Sequence, residues 1–289
     1  MDHDHRIEQI LGDLVDRRTA NPCPSHLAAA VRDAVFPGGA RVRPRLCLAV
    51  AEACGDDRPA MSAAAASAIE LMHCASLVHD DMPCFDDADT RRGKPSIHQR
   101  HGAGVALLTG DALIVLAYQA LAEAGSVSPT RHLTLSHILG EASGLARGIV
   151  AGQAMEVESS IEIEAYHRAK TGALFGAATM LGAAAAGHDP APWAQLGDRI
   201  GQAYQIVDDI RDMTLDSDAL GKPAGQDARL ARPSAVQTYG ALAARARFDG
   251  LLADIVTDIP ACPGAEALRA RIRDESASFF PALSAEPAA

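Results

Sequence analysis

Aromatic side chains are scarce in this chain, at 4% of its 289 residues. A core built on large rings is therefore excluded. Packing must rely on Leu, Ile, Val and abundant Ala, and small side chains let helices approach closely. Positive charge is also in short supply, with 26 Lys and Arg against 37 Asp and Glu, a formal net charge of −11. That balance argues against general nucleic-acid binding. It also means that an anionic ligand would need a local cationic patch or a bound metal. The six cysteines (Cys23, Cys47, Cys54, Cys74, Cys84, Cys262) form no CxxC pair and no ligand spacing. They read as reduced, mostly buried thiols of a cytoplasmic protein. The opening MDHDHRIEQI lacks the apolar core of a signal sequence. No run alternates apolar and polar residues with β-branched enrichment, which leaves no basis for a sheet. No internal repeat and no linker stands out.

Helical patterning is what the chain does have. Hydrophobic residues make up 48% of it, ample for a core. Ile7, Ile10, Leu11 and Leu14 form a helical stripe within residues 7–17. Ser25 can cap a second helix ending near Val35, and FPGGAR then breaks the pattern. Further helices are expected over 42–54, from about Pro59, over 109–124, and after Ser128-Pro129 and Asp189-Pro190. Residues 171–187 carry no charge, are slightly short for a membrane span, and read as a buried helix. Residues 217–233 read as an irregular loop. Shorter helices, interrupted near Gly240, Gly250 and 260–264, complete the chain. The expectation is an all-α helical bundle around a central apolar cavity, one domain over residues 1–289, with no stable membrane insertion.

The chemistry concentrates in residues 70–98, ELMHCASLVHDDMPCFDDADTRRGKPSIH. An apolar helical run ends in Asp80, Asp81, Asp86, Asp87 and Asp89, followed at once by Arg91, Arg92 and Lys94. Pro83 disfavours helix at Met82, so the helix should kink or stop there, and Asp86 can fold back. Clustered carboxylates repel unless cations lie between them. Magnesium, held by a few carboxylates plus substrate phosphates, fits this pattern, with arginines for the phosphate oxygens. An acidic surface loop followed by a basic one is the plainer alternative. An EF-hand fits worse, because Arg92 and His98 fall where its Gly and Glu belong.

A second acidic stretch, QIVDDIRD at 205–212, places Asp208 and Asp212 four residues apart on one helix face, with Asp209 beside them. Like charges at that spacing cost a helix stability unless a cation neutralises them. Two such clusters suggest two acidic helix walls facing across a pocket.

DDMPCFD and DDIRD together resemble the two aspartate-rich motifs of the trans-isoprenyl diphosphate synthases. FPGGARVRP, RRGKPSIH, AGQAMEVE, YHRAKTGALF and LGKPAGQD resemble that family's other landmarks, in order, over residues 36–227. The resemblance is nearest to the geranylgeranyl diphosphate synthases of bacterial carotenoid and bacteriochlorophyll clusters. It implies condensation of isopentenyl diphosphate with an allylic diphosphate, releasing pyrophosphate with the help of magnesium. Metal ligands would be Asp80, Asp81 and Asp86 on one wall, and Asp208, Asp209 and Asp212 on the other. The same resemblance assigns Arg91, Lys170, Thr171, Gln205 and Lys222 to the allylic diphosphate. It assigns Arg43, His73 and Arg92 to isopentenyl diphosphate, and implies a homodimer. Asp80, Asp86, Asp208 and Lys170 would carry the catalytic step. His98 reads as structural, and Gln153 as a buried amide or a ligand contact.

Some positions depart from the family pattern. Ala40 stands where Lys is usual, so either Arg41 or Arg45 compensates or isopentenyl binding is weaker. Glu156 stands where Asp is usual, and Arg211, Arg232 and Ser234 are further departures. Ala75 and Ser76, about one turn before Asp80, are small and leave room for a long product, which favours twenty carbons over fifteen. Rival readings are a farnesyl diphosphate synthase, a class I terpene cyclase and a non-catalytic partner subunit. A cyclase has no need of Arg43, His73 and Arg92, and a partner subunit could lose an aspartate cluster that this chain keeps.

Overall fold

The computed structural model of the chain describes residues 3–160, 162–214 and 240–279, with the side chains of 163, 209–214, 241–242 and 275–279 outside the described set. Helices dominate: α1 (His3–Thr19), α2 (Ser25–Val35), α3 (Val42–Ala53), α4 (Pro59–Asp80), α5 (Ile97–His101), α6 (Ala103–Ala124) and α7 (Pro129–Ser143). They continue as α8 (Ile149–Met155), α9 (Ile163–His167), a π-helical turn (Arg168–Gly172), α10 (Ala173–Ala185), α11 (Trp193–Thr214), α12 (Ala241–Thr257) and α13 (Ala265–Phe279). The all-α expectation holds. Pro59 and Pro129 open α4 and α7, where a missing N–H costs nothing.

Several boundaries differ from the sequence expectation for identifiable reasons. Ser25 is not a cap. The Pro24 carbonyl already accepts from Ala28 N at 2.9 Å, so α2 starts one residue sooner and no side chain caps it. Asp189 accepts from Ala191 N at 3.0 Å, a local turn that delays α11 to Trp193. Gly250 does not interrupt α12. An exposed helical glycine costs only about 1 kcal/mol against alanine, too little to break a packed helix. Residues 217–233, read as an irregular loop, lie outside the described residues.

α4 is the central element, packed on α6, α3 and α10, while α10 also packs on α11 and α7. The core is aliphatic and alanine-rich, as the scarcity of rings requires: Leu71, Ala65, Ala68, Leu174, Ala178 and Leu181 are all fully buried. Close approach is real. A Cβ added to Gly182 would sit 3.0 Å from the Val50 Cβ, and nearer still to the Cys47 carbonyl. Only a residue without that carbon lets α10 lie so near α3.

A two-stranded hairpin, β1 (Thr90–Arg91) and β2 (Lys94–Pro95), was not foreseen. Its register pairs Thr90 with Pro95 and Arg91 with Lys94. The turn residues Arg92 and Gly93 both have positive φ, 54° and 72°, as a tight two-residue hairpin turn demands. Two residues are too few to show a period-two pattern.

α4 and α6 are long and apolar enough to cross a membrane. α4 is largely buried within the protein, whereas under half of the most apolar stretch of α6 is covered. Leu107, Leu108 and Val115 stand exposed on α6. Residues 171–187 fall mostly in α10 and are buried, as expected.

Candidate active site

α4 ends at Asp80 and the chain turns through Pro83. Asp86 N then donates to the Asp80 carbonyl at 3.0 Å, and Ala88 N to that of Asp81 at 3.1 Å. This fold-back brings Asp86 beside Asp80. Glu156, at the C-terminal end of α8, joins them. One carboxylate oxygen from each of the three lies within 4.8 Å of the others.

A cation stands among these acids. Lys170 Nζ is 3.2 Å from Asp80 Oδ1 and is also bonded to Glu156 Oε1. Gln153 donates to Asp80 Oδ1 at 2.9 Å, so the half-buried amide faces the cluster. Tyr166, 5% exposed, donates from its hydroxyl to Glu156 Oε1 at 2.6 Å. Lys170 sits on the π-helical turn. That turn lies so close to α8 that a Cβ on Gly152 would be 2.5 Å from Lys170 N. The next residue, Thr171, donates from Oγ1 to Gln205 Oε1 on α11 at 2.8 Å. Lys170, Thr171 and Gln205 are thus brought together, while Lys222 lies outside the described residues.

Asp81 and Arg91 face each other. Arg91 Nε lies 3.0 Å from Asp81 Oδ1, and its Nη2 is also bonded there. Burial pushes the Asp81 carboxyl up against the pull of Arg91, and the charges of Asp80 and Asp86 add to the rise. Burial works against the Arg91 charge too, but Asp81, joined by Asp80 and Asp86, outweighs it and the Arg91 pKa rises. Asp81 thus pairs with Arg91, while the acidic trio is formed by Asp80, Asp86 and Glu156. Asp208 on α11 is part-buried, and its charge acts on Arg43. Asp209 and Asp212 lie on the same helix, with side chains outside the described set.

The three residues expected to hold isopentenyl diphosphate form a cationic corner. Arg43 Nη1 lies 3.3 Å from His73 Nε2, and the guanidinium carbon is 4.4 Å from the centre of the Phe175 ring. Arg43 Nε is buried with no hydrogen-bond partner. Burial, then Arg43 and Arg92, hold the His73 imidazole well below its ordinary pKa, so it is neutral near pH 7. Arg92, turned back by the hairpin, bonds the Gly38 carbonyl and covers the α face of Gly39, where any side chain would strike its guanidinium.

Arg41 and Arg45, the two candidates to stand in for a lysine at Ala40, both have acidic partners. Arg41, held at φ 46°, binds Glu8 Oε1 and Glu70 Oε1, each at 2.7 Å. Arg45 Nε is 3.4 Å from Asp4. Both arginines are engaged with the N-terminal helix. His98 is structural as expected, its Nε2 lying 2.9 Å from the Ala88 carbonyl. Tyr166 was missed. Its signal was spacing: it precedes Lys170 by four residues, within one helical turn.

Hard oxygen donors in close array suit magnesium, and the presence of Lys170 among them shows that this charge needs a counter-ion. The fold and the acidic helix ends define a class: the chain belongs to the polyprenyl synthetase family, whose sequence model matches residues 24–263. It is 51% identical over 282 residues to the geranylgeranyl diphosphate synthase of Cereibacter sphaeroides, covering 98% of each chain. It is 52% identical over 264 residues to that of Rhodobacter capsulatus, covering 91% of each. Among solved structures, the geranyltransferase of Helicobacter pylori complexed with magnesium and isoprenyl diphosphate matches with a TM-score of 0.80. That pair shares 26% identity over 96% of this chain and 98% of the other.

Proposed function

We propose that this chain is a prenyltransferase that joins isopentenyl diphosphate to an allylic diphosphate and releases pyrophosphate, with geranylgeranyl diphosphate as product. The observation that carries the reading is the pairing of an acidic trio with a separate cationic corner. Asp80, Asp86 and Glu156 converge at one end of α4, and Arg43 and His73 meet two helical turns away. Half-identity to two named geranylgeranyl diphosphate synthases over nearly the whole chain supports the product class.

Asp80 and Asp86 would hold magnesium from the α4 side, and Asp208, with Asp209 and Asp212, from the α11 side. Bound there, magnesium supplies Lewis-acid neutralisation of the charge that develops on the departing pyrophosphate. Lys170, Thr171 and Gln205, with Arg91 and Lys222, bind the allylic diphosphate and hold its leaving group in place. Asp81 keeps Arg91 oriented for that task. Arg43, His73 and Arg92 bind isopentenyl diphosphate, so that its double bond attacks the allylic cation and the new cation loses a proton to leave the longer allylic diphosphate. The neutral His73 can donate to a phosphate oxygen from one nitrogen without adding charge beside two arginines. Leu and Ala walls exclude water from the cation.

The protein acts in this reading as one domain over residues 1–289, in the cytoplasm, and as a homodimer. Exposed Leu107, Leu108 and Val115 on α6 support pairing through that face rather than insertion into lipid. Mass analysis of products from isopentenyl diphosphate with dimethylallyl, geranyl or farnesyl diphosphate tests the reading. A twenty-carbon diphosphate is expected from each primer. Hydrocarbon release from farnesyl diphosphate alone, or no turnover without a second protein, would overturn it.

A further inference from the structure

Lys170 has two carboxylate neighbours, and they differ in what holds them. Asp80 belongs to the acidic trio, where a divalent ion would compete with the Lys170 ammonium. Glu156 is itself gripped by the Tyr166 hydroxyl at 2.6 Å, through the same Oε1 atom that bonds Lys170. The Tyr166 ring lies 6.0 Å from Lys170 Nζ and gives the ammonium an aromatic face as well. Tyr166 is 5% exposed, so its hydroxyl is shielded from water and the bond to Glu156 is strong.

We infer that Tyr166 and Glu156 form a positioning pair. They keep the Lys170 ammonium at the rim of the site when a cation displaces it from Asp80, ready for the allylic diphosphate. This rests on the allylic assignment of Lys170 given above. Tyr166 touches no substrate in this role, and its hydroxyl acts through Glu156. The geometry fits the backbone too. α9 carries Tyr166, the π-helical turn carries Lys170, and α8 carries Gly152 and leads into Glu156. The missing side chain at Gly152 lets these segments touch. Among the described residues, the partners of the ammonium other than Asp80 on α4 thus come from two segments in direct contact.

The test uses Tyr166→Phe, which keeps the ring and removes the hydroxyl, together with Glu156→Gln and the double variant. The first readout needs neither metal nor turnover. The chain has three lysines, Lys94, Lys170 and Lys222. Acetic anhydride labelling in chelator, read by peptide mass analysis, therefore resolves Lys170 against exposed Lys94. Tyr166→Phe should raise the relative labelling rate of Lys170 about threefold, as a side chain held less firmly against Glu156 is more open to the reagent. The second readout is kinetic. The KM for the allylic diphosphate should rise about tenfold with that for isopentenyl diphosphate within about twofold, one charged hydrogen bond being the difference. The double variant should be no worse than Glu156→Gln alone, because the hydroxyl acts only through that carboxylate. Unchanged labelling with an unchanged allylic KM overturns the inference. So does an equal rise in both KM values, which would mean general loosening. If the wild type transfers no prenyl group, the labelling arm still decides where Tyr166 holds Lys170, and the proposed reaction fails separately.

Discussion

Arg41 and Glu70 meet in the interior, Nη1 to Oε1 at 2.7 Å, with both side chains at most 3% exposed. Arg41 also binds Glu8 and the Val35 carbonyl. One guanidinium thus ties α1, the end of α2 and α4 together behind the cationic corner. Burial works against the charge of Arg41, yet Glu8 and Glu70 together raise its pKa. Truncation of Glu70 leaves that charge without its buried partner. Glu70→Ala should lower stability by about 3–5 kcal/mol, measured by urea unfolding. A loss under about 1 kcal/mol would show that water replaces the carboxylate without cost.

The depressed pKa of His73 has a signed consequence. The folded-state pKa lies below the ordinary 6.5, so the folded protein resists protonation that the unfolded chain accepts. Stability from this group is present above pH 6.5 and is lost as pH falls through the folded-state value. Melting temperature should therefore fall more steeply in the wild type than in His73→Gln between about pH 6.5 and 5. Parallel curves would mean that an anion or water already neutralises the corner.

Asp80→Ala and Asp208→Ala should each cut turnover by at least about a thousandfold, the scale of losing electrostatic stabilisation of a leaving group. Melting temperatures should stay near the wild-type value, since neither residue is buried in the core. Excess chelator should likewise abolish turnover of the wild type, with recovery on adding magnesium. Full activity in either variant, or in chelator, would remove the metal assignment.

Product length should respond at Ser76. Ser76 lies one turn before Asp80 and keeps partial solvent access, as do His73 and Leu77, whereas Cys74, Ala75 and Val78 are buried. Ser76→Phe should shift the main product from twenty carbons towards fifteen. Ala75 is 1% exposed. Ala75→Phe should also cost about 1–3 kcal/mol from overpacking, so its effect on chain length would be read against lost stability. An unchanged product from Ser76→Phe would place the cavity floor on another helix.

How much of this was legible can be argued from particular residues. The acidic ends of α4 and α11 could be read because carboxylates crowd only where a cation is expected, and Pro83 marked the stop. Asp86 folding back on Asp80 followed from the same proline. The fate of Arg41 could not be read. Nothing in GGAR says that a left-handed backbone turns this side chain towards Glu8 and Glu70, contacts 33 and 29 residues away. The pairing of Asp81 with Arg91 could not be read either, because it depends on the hairpin that turns at Arg92-Gly93. Glu156 stood out solely as an unusual residue. Its bond to Tyr166 depends on how α8 abuts the π-helical turn, a tertiary fact that local patterning does not encode.

That turn has one consequence of its own. A π-helical turn is an α-helix holding a surplus residue. Deleting any one residue among 168–172 would let the backbone relax into an unbroken spiral. Yet the relaxation would rotate everything upstream of the cut by roughly 100° against everything downstream. Lys170 and Thr171 could no longer address α4 and α11 at once. The count of residues in this segment, as much as their identity, is what the site is made of.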